Sequence, residues 1–174
     1  QEYSDVYDRQ FLFRSGIDYK FSEVISAKDH VSKNFRIPTF NDMFWEESGR
    51  TDLLPETSNQ AEASIILSDI DNKHQLTFTG YYNDITNLIR WIPNSTNIWQ
   101  PENVDEVETY GLETNLSSSY EFGMHRFNLR SLYAYTISEN KQTSSQLTYV
   151  PKHKVTNSLT YRLGRFSADV QNLY

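Results

Sequence analysis

Three tryptophans, Trp45, Trp91 and Trp99, and one polar set, Arg36, Pro38, Asp42, Pro55 and Glu56, are the residues of this sequence best suited to recognition chemistry. Flat indole faces beside a few polar groups suit an amphipathic, ring-bearing ligand. Tryptophan at the same height also anchors a protein at a membrane interface, and both roles stay open for all three. The polar set reads either as ligand contacts or as the frame of a long loop. The loop-organising reading is preferred, because proline fixes φ, Asp42 can bond its own turn and Arg36 can bridge to a carboxylate such as Glu56.

Covalent and metal chemistry find no candidates. The chain has no cysteine, and its carboxylates are scattered among turns and loops. Neither G-x-S-x-G, H-E-x-x-H nor a phosphate-binding loop occurs. His30, His74, His125 and His153 fall in different segments without i, i+2 or i, i+4 partners, so no catalytic residue, metal ligand or cofactor is expected. A net charge of -7 with scattered Lys and Arg argues against a nucleic-acid partner.

The elements that would carry these residues are strands. Aromatics reach 14% of the chain, and Ser, Thr and Asn are abundant throughout, a mixture that favours β-structure. Period-two alternation is the dominant pattern. In HRFNLRSLYAYTIS, Phe127, Leu129, Tyr133, Tyr135 and Ile137 share one face, and Arg126, Asn128, Arg130, Ala134 and Thr136 the other. FLFRSGIDYKF, QLTFTGYYND and TYGLETNLSSSY repeat the split, and weaker versions near 24–34, 60–69, 154–163 and 165–174 bring the expected number to about eight strands. Helical spacing is nowhere competitive.

The connections alternate between short ones, near 21–24, 69–74, 120–124 and 163–166, and long ones, near 36–59, 87–106 and 139–153. An antiparallel up-and-down meander with this rhythm gathers its short turns at one end and its long loops at the other. Outer-membrane barrels are built this way, with an apolar outside and a polar lumen. Tyr19, Phe21, Tyr120, Phe122, Tyr161 and Phe166 fall beside the short turns, and Tyr82, Tyr110, Tyr133 and Tyr135 nearer the loops, as two interfacial girdles would. On this pattern Arg14, Glu113, Arg126, Arg130 and Arg162 project into the lumen. A soluble β-sandwich or a set of propeller blades also alternates and also carries Tyr, although a sandwich core is usually richer in Val, Ile and Leu.

The loops add a resemblance. NFRIPTFNDMFW with LLPETS at 53–58 resembles the signature of the late barrel in TonB-dependent outer-membrane receptors. YYNDITNLIRWIP, WQPENVDEVETYGLE, YVPKHK and the final DVQNLY resemble further segments of that family in the same order, and the I-W-P and W-P-N-V pieces look most like its cobalamin-receptor branch. The resemblance implies that residues 1–174 are a segment of a 22-stranded transmembrane β-barrel, all-β. The family's plug domain and last strands lie outside this stretch. It also implies contact with outer-membrane lipid, a transported ligand of cobalamin or ferric-siderophore type, and engagement of the TonB complex through the plug region. In that setting Phe35 marks the membrane interface, Arg36 and Pro38 turn the chain outward, and Phe40, Phe44 and Trp45 are expected to pack the loop over the wall. A different class of protein, a complete small eight-stranded barrel acting as adhesin or anchor, remains the alternative.

Overall fold

The computed structural model describes residues 11–104, 106–147 and 150–174. Eight long strands dominate: β1 (Phe13–Lys20), β2 (Ile25–Arg36), β3 (Glu56–Ser68), β4 (His74–Thr86), β7 (Val107–Phe122), β8 (His125–Asn140), β10 (His153–Leu163) and β11 (Phe166–Leu173). They pair antiparallel, each with its neighbour, in the order β1-β2-β3-β4-β7-β8-β10-β11. The expected meander is present, with short turns at one end and long loops at the other.

Directly opposed residues of an antiparallel pair share a face, so the register separates two surfaces. One carries Tyr82 opposite Tyr110 opposite Ile137, and Phe78 opposite Thr114 opposite Tyr133. It continues as Tyr120 opposite Phe127 opposite Tyr161. Much of it is exposed: Ile65, Leu112 and Val170 are all more than half accessible. The other face is bound laterally by hydroxyls and amides, with Ser64 and Thr79 2.9 Å apart, Thr109 and Ser138 2.7 Å apart, and Ser119 donating to Asn128 at 3.0 Å. Arg14, Glu113, Arg126, Arg130 and Arg162 all lie on this polar face.

From Tyr110 to Tyr120 along β7 is about 33 Å at ~3.3 Å per residue. For a strand tilted by about 40° that is about 25 Å of height, the thickness of a barrel's apolar band. Aromatic contacts bracket the band at its short-turn end, with Tyr19 against Phe21 at 4.8 Å and Phe127 against Tyr161 at 4.9 Å.

Two of the short turns are two-residue connections that begin with glycine, Gly123–Met124 and Gly164–Arg165, closed by Phe122 opposite His125 and Leu163 opposite Phe166. Gly123 has φ 57° and Gly164 φ 55°. A side chain there meets no neighbour, so the cost of replacement is purely conformational. Gly164→Ala is expected to destabilise the β10–β11 hairpin by about 1–2 kcal/mol, read as a lowered urea midpoint of the refolded receptor.

Three short strands and a helix depart from the sequence expectation. β5 (Ile89–Pro93) and β6 (Trp99–Asn103) form their own hairpin, β9 (Ser145–Gln146) pairs antiparallel with the end of β8, and α1 (Phe40–Phe44) forms one turn inside the first long loop. No helical spacing announces α1, because a five-residue helix is held by its cap rather than by periodicity. Among the described residues β1 and β11 do not pair with each other, so the eight long strands form an open sheet and not a small closed barrel.

Candidate functional site

The largest fully buried side chains among the described residues lie at the foot of the long loops. Val107, Pro38 and Pro101 are the largest fully buried ones, joined by Leu53 and Ile89. A polar network runs through them. Arg36, the last residue of β2, faces Glu56, the first of β3, in register. Its guanidinium forks onto that carboxylate with Nε to Oε2 and Nη2 to Oε1 both 2.6 Å. The geometry is the planar, bidentate kind that lysine cannot reproduce. Glu56 Oε1 also accepts the backbone N–H of Ile89 at 2.7 Å, tying β5 to the sheet.

Asp42 is the second node. Thr39 and Asp42 form a capping box at the start of α1: the Thr39 hydroxyl accepts the Asp42 N–H, and Asp42 Oδ2 accepts the Thr39 N–H at 2.9 Å. This pairing satisfies donors that the helix start leaves free. Asp42 Oδ1 takes the indole N–H of Trp91 at 2.9 Å, and Arg36 Nη1 stands 3.8 Å from Oδ2. Asn103 completes the frame. Its side-chain amide donates to the carbonyls of Leu54 and Asn87 and accepts the Leu54 N–H at 2.7 Å.

The helix is inverted in character, with its charged residue buried and its aromatics outside. Asp42 is 6% accessible, whereas Phe40 is 74% and Phe44 54%, their rings 5.0 Å apart. Trp45 is exposed and meets Trp91 edge-on at 6.3 Å. The expectation that Phe40, Phe44 and Trp45 pack down over the wall is therefore corrected. The network claims the inward side of α1, and these rings have only its outer side left. Trp99 is also exposed, on β6.

The structure thus joins Arg36, Pro38, Asp42, Glu56 and Trp91 in one assembly, with Pro55 half-buried beside it at the foot of β3. Arg14, Glu113, Arg126, Arg130 and Arg162 are distributed along the polar face below, with Arg126 opposite Arg162 and 3.3 Å from Glu121. Thr39, Leu53, Ile89 and Asn103 were missed by the sequence reading. Of these, only Thr39 carried a local signal, the T-x-x-D spacing to Asp42. Asp105 and Tyr149, within the WQPENVDEVETYGLE and YVPKHK segments, lie outside the described residues. Among the described residues no group of three or more His, Asp or Glu side chains could hold a metal ion.

Residues 1–174 match the family model described as TonB dependent receptor-like, beta-barrel. The chain belongs to the TonB-dependent receptor family. This receptor segment is 29% identical over 178 residues to the vitamin B12 transporter BtuB of Photobacterium profundum, covering 98% of the segment and 28% of that protein. It is 29% identical over 161 residues to the iron-regulated outer membrane virulence protein of Vibrio cholerae, covering 79% and 24%. Among solved structures, copper transporter OprC matches with a TM-score of 0.72 at 18% identity, over 90% of the segment and 24% of that chain. The siderophore receptor PirA from Pseudomonas aeruginosa gives 0.69 at 16%, over 98% and 35%. The segment spans about a quarter of the length of the curated relatives it matches. TonB-dependent receptors reside in the bacterial outer membrane, and this segment is antiparallel barrel structure of that family.

Acid tests the loop frame of the receptor directly. Burial opposes ionisation of Asp42, yet the Thr39 amide and hydroxyl, the Trp91 indole and the Arg36 guanidinium outweigh it and hold the carboxyl below the usual aspartate range. A group with a depressed folded pKa contributes stability that is complete above its unfolded pKa, about 3.9, and is lost as pH falls through the folded value. The frame is expected to stay intact from neutral pH to about 4 and to loosen below that. Trp91 fluorescence through an acid titration checks this, and a transition centred near pH 6 would contradict it.

Proposed function

We propose that this segment forms part of the wall and outer mouth of a receptor that takes up cobalamin actively across the outer membrane. The observation that carries the reading is the exposed aromatic tier. Phe40, Phe44, Trp45 and Trp99 stand outside a buried frame at the long-loop end of a sheet with one apolar and one polar face. Flat, exposed aromatic surface suits a corrin or a ferric siderophore. The sequence relation to a vitamin B12 transporter over nearly the whole segment favours the corrin.

Trp45 and Trp99 are the ligand candidates. Trp91, with its indole N–H committed to Asp42, positions Trp45 edge-on. Arg36, Pro38, Asp42, Pro55 and Glu56 organise the loop. The apolar face meets lipid. Arg14, Glu113, Arg126, Arg130 and Arg162 face a hydrated lumen and the plug that fills it. Energy reaches the receptor from TonB through that plug region, outside this segment, and the role is transport rather than catalysis.

Equilibrium binding of cobalamin and of ferric siderophores to the full-length receptor tests the ligand assignment. Cobalamin is expected to bind, and Trp45→Ala to weaken it about tenfold, the loss of ~1.4 kcal/mol of aromatic contact. Tight siderophore binding without cobalamin binding would overturn the assignment.

A further inference from the structure

We propose that Asp29 marks an intramembrane docking site for a second membrane protein, one that presents a basic side chain at the same depth; the proposal rests on the reading that the apolar face meets lipid. Asp29 lies on that face, opposite Ile17 on β1 and Ala63 on β3, and Ala63 in turn lies opposite Gly80 on β4. It is exposed, and no hydrogen bond or ion pair reaches its carboxylate among the described residues.

Its depth makes this unusual. Asp29 stands four residues above Ile25, where β2 leaves its short turn. That is about 13 Å along a strand and about 10 Å of height in a band about 25 Å tall, close to the middle of the membrane. The other Asp, Glu and Lys side chains of the same face, Lys33, Asp84, Glu108 and Glu139, lie eight or more residues above the short-turn ends of their strands, within reach of headgroups. An ionisable side chain held at mid-bilayer implies a partner for it.

The surface around Asp29 is shaped to receive one. A cavity of about 820 Å³ opens on this face, lined by Asp29, Ala63, Gly80, Leu112, Tyr133 and Tyr135 among others. Small side chains at Ala63 and Gly80 let another backbone approach closely, the arrangement that membrane-embedded segments use to pack. Charge decides the occupant. Acyl chains carry no hydrogen-bond donor at mid-bilayer. A second copy of this face offers no Lys or Arg at that height among its described residues, since Lys33 lies well above. A different membrane-embedded segment with a Lys or Arg flanked by small or apolar residues satisfies both the carboxylate and the notch.

The test is site-specific photo-crosslinking in the full-length receptor in native outer membranes, with a benzophenone side chain at residue 63. A control carries it at residue 159, where Leu159 faces the same side at the same height above the β10–β11 turn. The expected result is a lipid adduct at 159. At 63 the expected product is a protein adduct that maps by mass spectrometry to a membrane-spanning peptide with Lys or Arg beside the attachment point. That adduct falls tenfold or more in Asp29→Leu, and also in Asp29→Asn, which keeps the shape and covers the case in which leucine impairs insertion. Lipid adducts alone at 63, or a protein adduct unchanged by both substitutions, would overturn the docking site while leaving the face's orientation intact. Absence of lipid adducts at 159 would overturn the orientation itself, and the docking site with it.

Discussion

Glu56→Ala in the full-length receptor is expected to loosen the whole outer loop frame, raising amide exchange at Ile89 a hundredfold or more. The substitution removes both prongs of the Arg36 fork and the acceptor for the Ile89 N–H. Glu56 is nearly buried, and so is Ile89. Losing charge-assisted bonds and leaving a buried N–H without an acceptor together cost about 3 kcal/mol, a hundredfold in the opening equilibrium. Arg36→Ala acts from the other side and leaves two buried carboxylates, Asp42 and Glu56, without their cation. The Arg36 side chain is itself half exposed, so solvent screening reduces that loss to about 2 kcal/mol. Arg36→Lys falls between, because an ammonium keeps the charge and loses the fork. Exchange at Ile89 unchanged in Glu56→Ala would mean the loops are held by something other than this network.

Gly111→Val carries the largest expected effect within the wall. Gly111 is the fifth residue of β7, opposite Tyr81 on β4 and Thr136 on β8. The Tyr81 side chain crosses the glycine to place its hydroxyl 2.6 Å from Thr136 Oγ1. A Cβ at 111 would meet the Tyr135 carbonyl and come within 2.7 Å of the Tyr81 hydroxyl. The carbonyl is backbone and cannot swing away. The substitution must therefore displace Tyr81 and strain the β7–β8 pairing, at about 3 kcal/mol. The refolded receptor in lipid should show a clearly lowered urea midpoint and a reduced heat-resistant band on a gel. Tyr81→Phe, which removes only the hydroxyl contact, should cost about 1 kcal/mol. A Gly111→Val variant as stable as the parent would show that Tyr81 does not lie across the glycine.

These two sites also mark where the sequence was legible. Gly111 lies in a strand that period-two alternation placed almost to its ends, since a sheet with one wet and one greasy face must write that difference into every second residue. The short turns were equally plain, with Gly123 and Gly164 supplying the positive φ that two-residue connections need. The loop frame was half legible. Arg36 and Glu56 suit a bridge by residue type. Nothing local says that Glu56 accepts from Ile89, 33 residues on, or that Trp91 donates to Asp42 across 49.

The same non-local contacts produced the error over Phe40 and Phe44. Aromatic residues in this loop suggest packing over the wall, but the buried carboxylates of Asp42 and Glu56 with the forked Arg36 guanidinium hold the inner side of α1, and the rings stand exposed. β5, β6 and β9 were hidden for a related reason. Strands of two to five residues are too short to show alternation.

We propose that these loops and this wall belong to an energised importer of cobalamin. Uptake of radiolabelled cobalamin by cells that depend on the full-length receptor tests it most directly, measured with and without collapse of the proton-motive force. Binding at the cell surface is expected in both conditions, and accumulation inside only when the inner membrane is energised. Equal accumulation in de-energised cells, or no cobalamin binding in either condition, would contradict it.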